Sequence, residues 1–142
     1  MITLRTAQEA DFPAIDLILS ELELGHASIK MELFHVGISG NGIVAVANVM
    51  DCGPSLYMSA VGVKKSSQGG GVARSFLGRL LSGLPKEVYV YTRIPEFFKR
   101  FGFKESAAPV EIPPRSIYDC VSCGGINECL CMVRRPYAAA IS

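Results

Sequence analysis

The chain has 142 residues and a mass of 15.3 kDa, a length that one compact domain of ~100–200 residues accounts for, so a single domain over 1–142 is expected. Apolar residues make up 49% and charged residues 19%; the latter is below the ~25% of an average soluble protein, which excludes a disordered chain and points to apolar contact surface, such as that of a homodimer. The 14 Lys and Arg against 13 Asp and Glu leave a net charge of +1, and no run of like charge exceeds two residues, so no nucleic-acid partner is expected. Ile43–Ala47 is far shorter than the ~18 apolar residues needed to cross a bilayer, which argues against a membrane partner. The opening MITLRTAQEADF lacks the basic start and apolar core of a signal peptide, which predicts a cytoplasmic protein.

In chain order, Ile2–Arg5 reads as a short strand. Asp11 then precedes Phe12 and Pro13, and Ile15, Ile18, Leu19 and Leu22 recur at i, i+3, i+4 and i+7, which predicts an amphipathic helix capped at Asp11 and stopped near Gly25. Phe34–Ile38 and Ile43–Met50 have strand composition, and the Asn41-Gly42 pair between them is a hairpin signal. Cys52-Gly53-Pro54 turns the chain into Leu56–Val63, completing an antiparallel meander. Next come Gly69-Gly70-Gly71 and a helical pattern of Val72, Phe76, Leu77, Leu80, Leu81 and Leu84, ended by Gly83 and Pro85. Glu87–Tyr91 is a further strand, and a strand-helix-strand crossover of this length predicts a parallel pair. Pro95 opens a short helix through Phe97, Phe98 and Phe101 that Gly102 terminates. Residues 104–129, rich in Pro, Gly and Ser, read as a loop with little regular structure, and Leu130–Arg134 as a last strand.

Three glycines between a strand and a helix let backbone approach a ligand closely, and the first turn of a helix offers unpaired N–H groups at the positive end of its dipole, a combination that favours a phosphate. The loop lacks the Lys of a G-x-x-x-x-G-K-[ST] phosphate loop, and Arg74 stands where a G-x-G-x-x-G fingerprint needs its last Gly, which argues against both nucleotide-binding motifs. The spaced set Val63, Gln68, Gly71 and Ala73 resembles motif A of the Gcn5-related N-acetyltransferase superfamily. Glu96-Phe97-Phe98-Lys99-Arg100-Phe101-Gly102-Phe103 is similar to that family's second signature, a short aromatic helix ending in Gly-Phe. The resemblance covers roughly residues 1–105.

It implies the acyl-CoA N-acyltransferase fold, of α+β or α/β class: a mixed, curved sheet flanked by helices, with the fourth and fifth strands splayed and acetyl-CoA as co-substrate. Carried over by residue, Val61 and Val63 would pair with the pantetheine arm, and the backbone of Gln68, Gly69, Gly70, Gly71, Val72, Ala73 and Arg74 would hold the pyrophosphate. Phe98, with Phe97 and Phe101, would support the cofactor. The family often uses a Glu on the fourth strand as base and a Tyr on the short helix as acid; Tyr57 and Phe98 stand at those places. A water-relayed base, Tyr57, Glu32 and His35 are the replacements, with Tyr57 taken as the catalytic candidate. A backbone N–H near Val61 would serve the oxyanion whatever side chain is present.

The stretch 92–103, with Arg93 ten residues before Phe103, is similar to N-acetylglutamate synthases, and the continuation 112–123 and Met132 to small single-domain proteins of that group. This implies an amino acid acceptor such as glutamate, its carboxylate paired by Arg93 or Arg134. Cys120, Cys123, Cys129 and Cys131 are close enough in sequence for a tetrahedral zinc site, but Cys129 and Cys131 on one face of a strand make a poor second half, so packing or unpaired thiols are expected and no metal is assigned. The competing functions are a small-molecule N-acetyltransferase, an acetyl-CoA-binding sensor or subunit without transfer activity, and a protein or peptide N-acetyltransferase.

Overall fold

The computed structural model describes residues 2–24, 29–40, 42–113 and 129–136. Their elements are β1 (Thr3–Thr6), α1 (Phe12–Leu22), β2 (Phe34–Ser39), β3 (Gly42–Asp51), β4 (Ser55–Val63), α2 (Val72–Ser82), β5 (Glu87–Thr92), α3 (Pro95–Lys99), β6 (Lys104–Glu105) and β7 (Leu130–Arg134). Seven strands form one mixed sheet in the order β1-β2-β3-β4-β5-β7-β6. The ladder of β2 with β3 closes with Ser39 opposite Gly42, as a two-residue hairpin requires. Bonds from Cys52 N–H to the Ser55 carbonyl and from Lys64 N–H to the Val44 carbonyl, 2.8 Å each, mark the two ends of an antiparallel β3–β4 pair. β4 and β5 run parallel, joined by α2 as the crossover length predicts.

Packing divides the chain into two compact units, Met1–Val49 with Ser59–Leu81, and Met50–Met58 with Ser82–Ser142. In the first unit Ile15, Ile18 and Leu19 of α1 pack on Phe34 and Val36 of β2 and Val46 of β3, the face that the i, i+3, i+4 spacing marks. Phe76 of α2 covers Gly37, where an added methyl would lie 2.8 Å from the ring, so this helix sits directly on strand backbone. Arg79 of α2 donates to the Ile2 carbonyl beside β1. The second unit is centred on Tyr57, Tyr89, Ile112 and Val133, with Met50, Cys52, Tyr91 and Cys131 around them.

Several local expectations are corrected. Asp11 stands at the start of α1 but does not cap its N–H groups; its carboxylate accepts the Gln8 N–H at 2.7 Å and the Arg5 guanidinium at 2.9 Å, closing a 3-10 turn over Glu9–Asp11. The end of α1 comes at Glu23, left-handed at φ 56°, whose N–H bonds to Ser20 while the Leu24 N–H reaches the Leu19 carbonyl. Gly25 lies outside the described residues. α3 ends at Lys99, and Arg100–Gly102 close it as a turn in which Gly102 takes φ 88°. The stretch read as a loop from 104 begins with β6, which pairs antiparallel with β7; a two-residue strand is too short for any periodicity to announce it. No helix among the described residues is long and apolar enough to cross a membrane.

Arg5 and the Gln8 N–H hold the Asp11 carboxyl down from its ordinary 3.8 to about 2. A carboxyl with its folded pKa depressed stabilises above the unfolded value and loses that contribution as pH falls through the folded one. Denaturant titrations from pH 5 downward are expected to show this loss between 3.8 and about 2 in the native chain and not in Asp11→Asn; identical pH profiles would refute the role.

Candidate functional site

β4 leads into the candidate site. Its first four residues are buried and its last five half-buried, and its parallel ladder with β5 is confined to Ser55–Tyr57 opposite Glu87–Tyr89. Ser59–Val63 therefore run on outside that ladder. Within this stretch Ala60 adopts φ 51°, the left-handed region that costs a residue with a side chain roughly 1–2 kcal/mol, while its methyl still packs against the first-unit core. A left-handed residue inside a strand breaks the alternation and re-aims the peptides that follow, here those of Val61 to Val63. Nothing in the sequence signals it, since Gly62, two positions on, is the residue that composition would choose for a bulge.

Beyond Val63 the chain makes a 3-10 turn over Lys65–Ser67. The Gln68 side-chain amide donates to the Val63 carbonyl at 2.9 Å, tying the far side of this turn to the end of β4. Gly69 and Gly71 take φ 89° and 79°, which explains glycine at those two places. Gly70 has no such conformation, and an added methyl at any of the three meets no protein atom within 4 Å. At Gly70, then, neither backbone strain nor protein packing requires glycine.

The first turn of α2 completes the arrangement. Its earliest bond runs from the Ser75 N–H to the Gly71 carbonyl at 3.0 Å, so the Val72, Ala73 and Arg74 N–H groups have no acceptor among the described residues, and no acidic residue stands in that turn. Unpaired donors at the positive end of an eleven-residue helix, approached through an open glycine loop, are an arrangement with the chemistry to hold an anion. Every one of Val61, Val63, Gln68, Gly69, Gly70, Gly71, Val72, Ala73 and Arg74 lies in the first unit.

Tyr57 and Arg93 belong to the second unit, as does Phe98. Tyr57 is 4% exposed within the tyrosine cluster, its ring 5.7 Å from that of Tyr91. Phe98 is 6% exposed and meets Phe97 and Phe103 edge to face, at 5.1 and 5.4 Å. Arg93 is exposed between β5 and α3, whereas Arg134 donates through Nε to the Phe101 carbonyl and so braces the turn after α3. Burial lowers the pKa of His35, which sits on β2 opposite Ala47, and Glu32 is exposed.

Of the cysteines, Cys120 and Cys123 lie outside the described residues; Cys129 is buried, and Cys131 and Cys52 are half-buried. Among the described residues no three His, Cys, Asp or Glu side chains are grouped to hold a metal. Burial, with Asp51 and Glu111 nearby, raises the Cys52 thiol pKa, which favours the protonated form.

The sequence matches no family model and no curated protein. Solved structures do resemble it. N-acetylglutamate synthase from Neisseria gonorrhoeae, complexed with coenzyme A and N-acetyl-glutamate, aligns with a TM-score of 0.73 at 19% identity, over 96% of this chain and 35% of that one. The chain thus spans about a third of that synthase's length. Rv2747 from Mycobacterium tuberculosis, in complex with CoA, aligns with a TM-score of 0.72 at 18% identity, over 94% of this chain and 98% of that one. The ribosomal-protein-S18-alanine N-acetyltransferase from Escherichia coli aligns with a TM-score of 0.68 at 17% identity, over 95% and 94% of the two chains. At such identities the likeness is one of fold, and together with the strand order and the glycine turn after β4 it establishes that this chain has the fold of the GCN5-related N-acetyltransferases.

Proposed function

We propose that the chain is an acetyl-CoA-dependent N-acetyltransferase that acetylates the amine of a small molecule, an amino acid such as glutamate. The observation that carries this reading is the run of unpartnered N–H groups over the glycine loop and the first turn of α2, directly after a strand that has left its parallel ladder. Those donors suit the pyrophosphate of CoA, and the re-aimed backbone at Val61 and Val63 suits the amides of its pantetheine arm. Neighbouring structures of the same fold that are complexed with CoA support the assignment.

In the transfer, the amine nitrogen bonds to the thioester carbonyl carbon, the carbon–sulfur bond breaks, the nitrogen gives up a proton and the thiolate takes one. A backbone N–H following Ala60 is the donor to the developing oxyanion. Tyr57 is the proton carrier we assign, as the phenol on the same strand three residues earlier. Arg93 pairs with an acceptor carboxylate. The glutamate preference draws on the N-acetyl-glutamate bound to the Neisseria synthase. A second reading, a chain that binds acetyl-CoA without transferring it, draws on the burial of Tyr57 and on the hydrocarbon ring of Phe98 at the position where the resemblance expects an acid.

Three measurements test these assignments. Calorimetry with CoA is expected to show binding, and Gly70→Ala to weaken it about tenfold or more while changing fold stability by less than about 0.5 kcal/mol; unchanged affinity refutes the placement of the pyrophosphate. Thiol release from acetyl-CoA over a panel of amino acids, polyamines and peptides is expected with acidic amino acids. Tight CoA binding without turnover favours the second reading, and turnover with peptides alone rules out the glutamate preference. Tyr57→Phe, which keeps the tilted ring contact with Tyr91, is expected to lower kcat by about tenfold or more; a change within twofold would remove Tyr57 from the chemistry.

A further inference from the structure

The turn that precedes the glycine loop is held from outside by the end of α1. Lys65 opens that turn, and its backbone N–H donates to Glu21 Oε2 at 3.0 Å across 44 positions of sequence. One residue further along α1, Leu22 presses on β4: a methyl on Gly62 would lie 2.5 Å from its Cδ1 and 2.8 Å from that of Leu24. The left-handed Glu23 folds Leu24 back on the helix, so that both leucines face the strand. The last turn of α1 therefore touches the chain at two points, Gly62 and Lys65, that bracket Val63. Val63 is also where the Gln68 amide anchors the far side of the turn. All of these residues lie in the first unit.

From this geometry we infer that Glu21 is a positioning residue for the anion cradle, holding the turn over Lys65–Ser67 so that the N–H groups from Gly69 to Arg74 stand ready for the CoA pyrophosphate. The inference rests on the reading of the loop as a CoA site. A carboxylate is not needed for its electrostatics, since negative charge close to a phosphate site opposes binding; it is needed as an acceptor for one backbone donor that the turn itself leaves over. A neutral acceptor of the same length should serve as well.

Glu21→Ala and Glu21→Gln separate the two properties. For Glu21→Ala the Kd for CoA is expected to rise about 3- to 10-fold, the value of one lost hydrogen bond. The Kd for pantetheine, which lacks the phosphates, should stay unchanged. For Glu21→Gln the CoA affinity should return to within about twofold of the native value. Amide hydrogen exchange in the protein alone should show Lys65 losing protection in the Ala variant and regaining it in the Gln variant. If Lys65 loses protection but CoA binds as before, the positioning role is overturned while the CoA site stands. If pantetheine and CoA weaken equally, or Gln fails to restore binding, the effect is general destabilisation and the inference falls. If the native chain binds no CoA, the reading of the loop falls and the inference with it, even with the Glu21–Lys65 contact confirmed by exchange.

Discussion

Every backbone N–H and C=O in a folded chain needs a partner, and β4 abandons one of its two ladders after three residues. From that point the chain runs through a left-handed alanine, a 3-10 turn and three glycines before α2 begins to use its own carbonyls at Ser75. The donors released along this path are the chemical content of the site. A sheet in which β4 stayed paired with β5 to its end would have no such strand to offer.

Holding so many donors unpaired demands rigidity around them, because a free loop would collapse onto its own carbonyls or onto water. The first unit supplies it at several points. Phe76 seats α2 on the bare backbone of Gly37, and Arg79 ties the same helix to the carbonyl of Ile2. Gln68 closes the turn on Val63, and Glu21 holds Lys65 from the other side. The Arg5–Asp11 pair anchors the start of α1, whose far end bears on β4. The anion binding proposed for this loop would be a property of oriented peptides, so a chain of net charge +1 needs no basic patch for it.

The second unit is of different character. Its tyrosines, Tyr57, Tyr89 and Tyr91, line a buried cluster with Ile112 and Val133, and Tyr91 donates its hydroxyl to the Pro113 carbonyl at 2.7 Å. Ser55, 2% exposed, donates to Glu111 at 2.8 Å, pinning the same segment to the start of β4. The rings of Phe97, Phe98, Phe101 and Phe103 meet one another at tilted or edge-to-face angles. The aromatic signature of the sequence is thus a packing device in its own right, whatever further contact it makes with a ligand.

The amino-acid sequence by itself determined the order of every strand and helix except β6, the hairpin between β2 and β3, the parallel crossover and the glycine turn that opens α2. Each of these follows from local chemistry: apolar periodicity, turn-forming residues and the positive φ that Gly69 and Gly71 accept without strain. Tertiary structure decided the rest. Ala60 is left-handed against its own preference because core packing on its methyl and the departure of β4 from its ladder outweigh a cost of roughly 1–2 kcal/mol. Asp11 serves Arg5 and Gln8 instead of the helix N–H groups, because a guanidinium from β1 is brought within reach only when strand and helix pack. Glu21 and Lys65 come together across 44 residues, a distance over which no spacing rule operates. Local preferences are carried by neighbours along the chain, and these contacts are carried by neighbours in space.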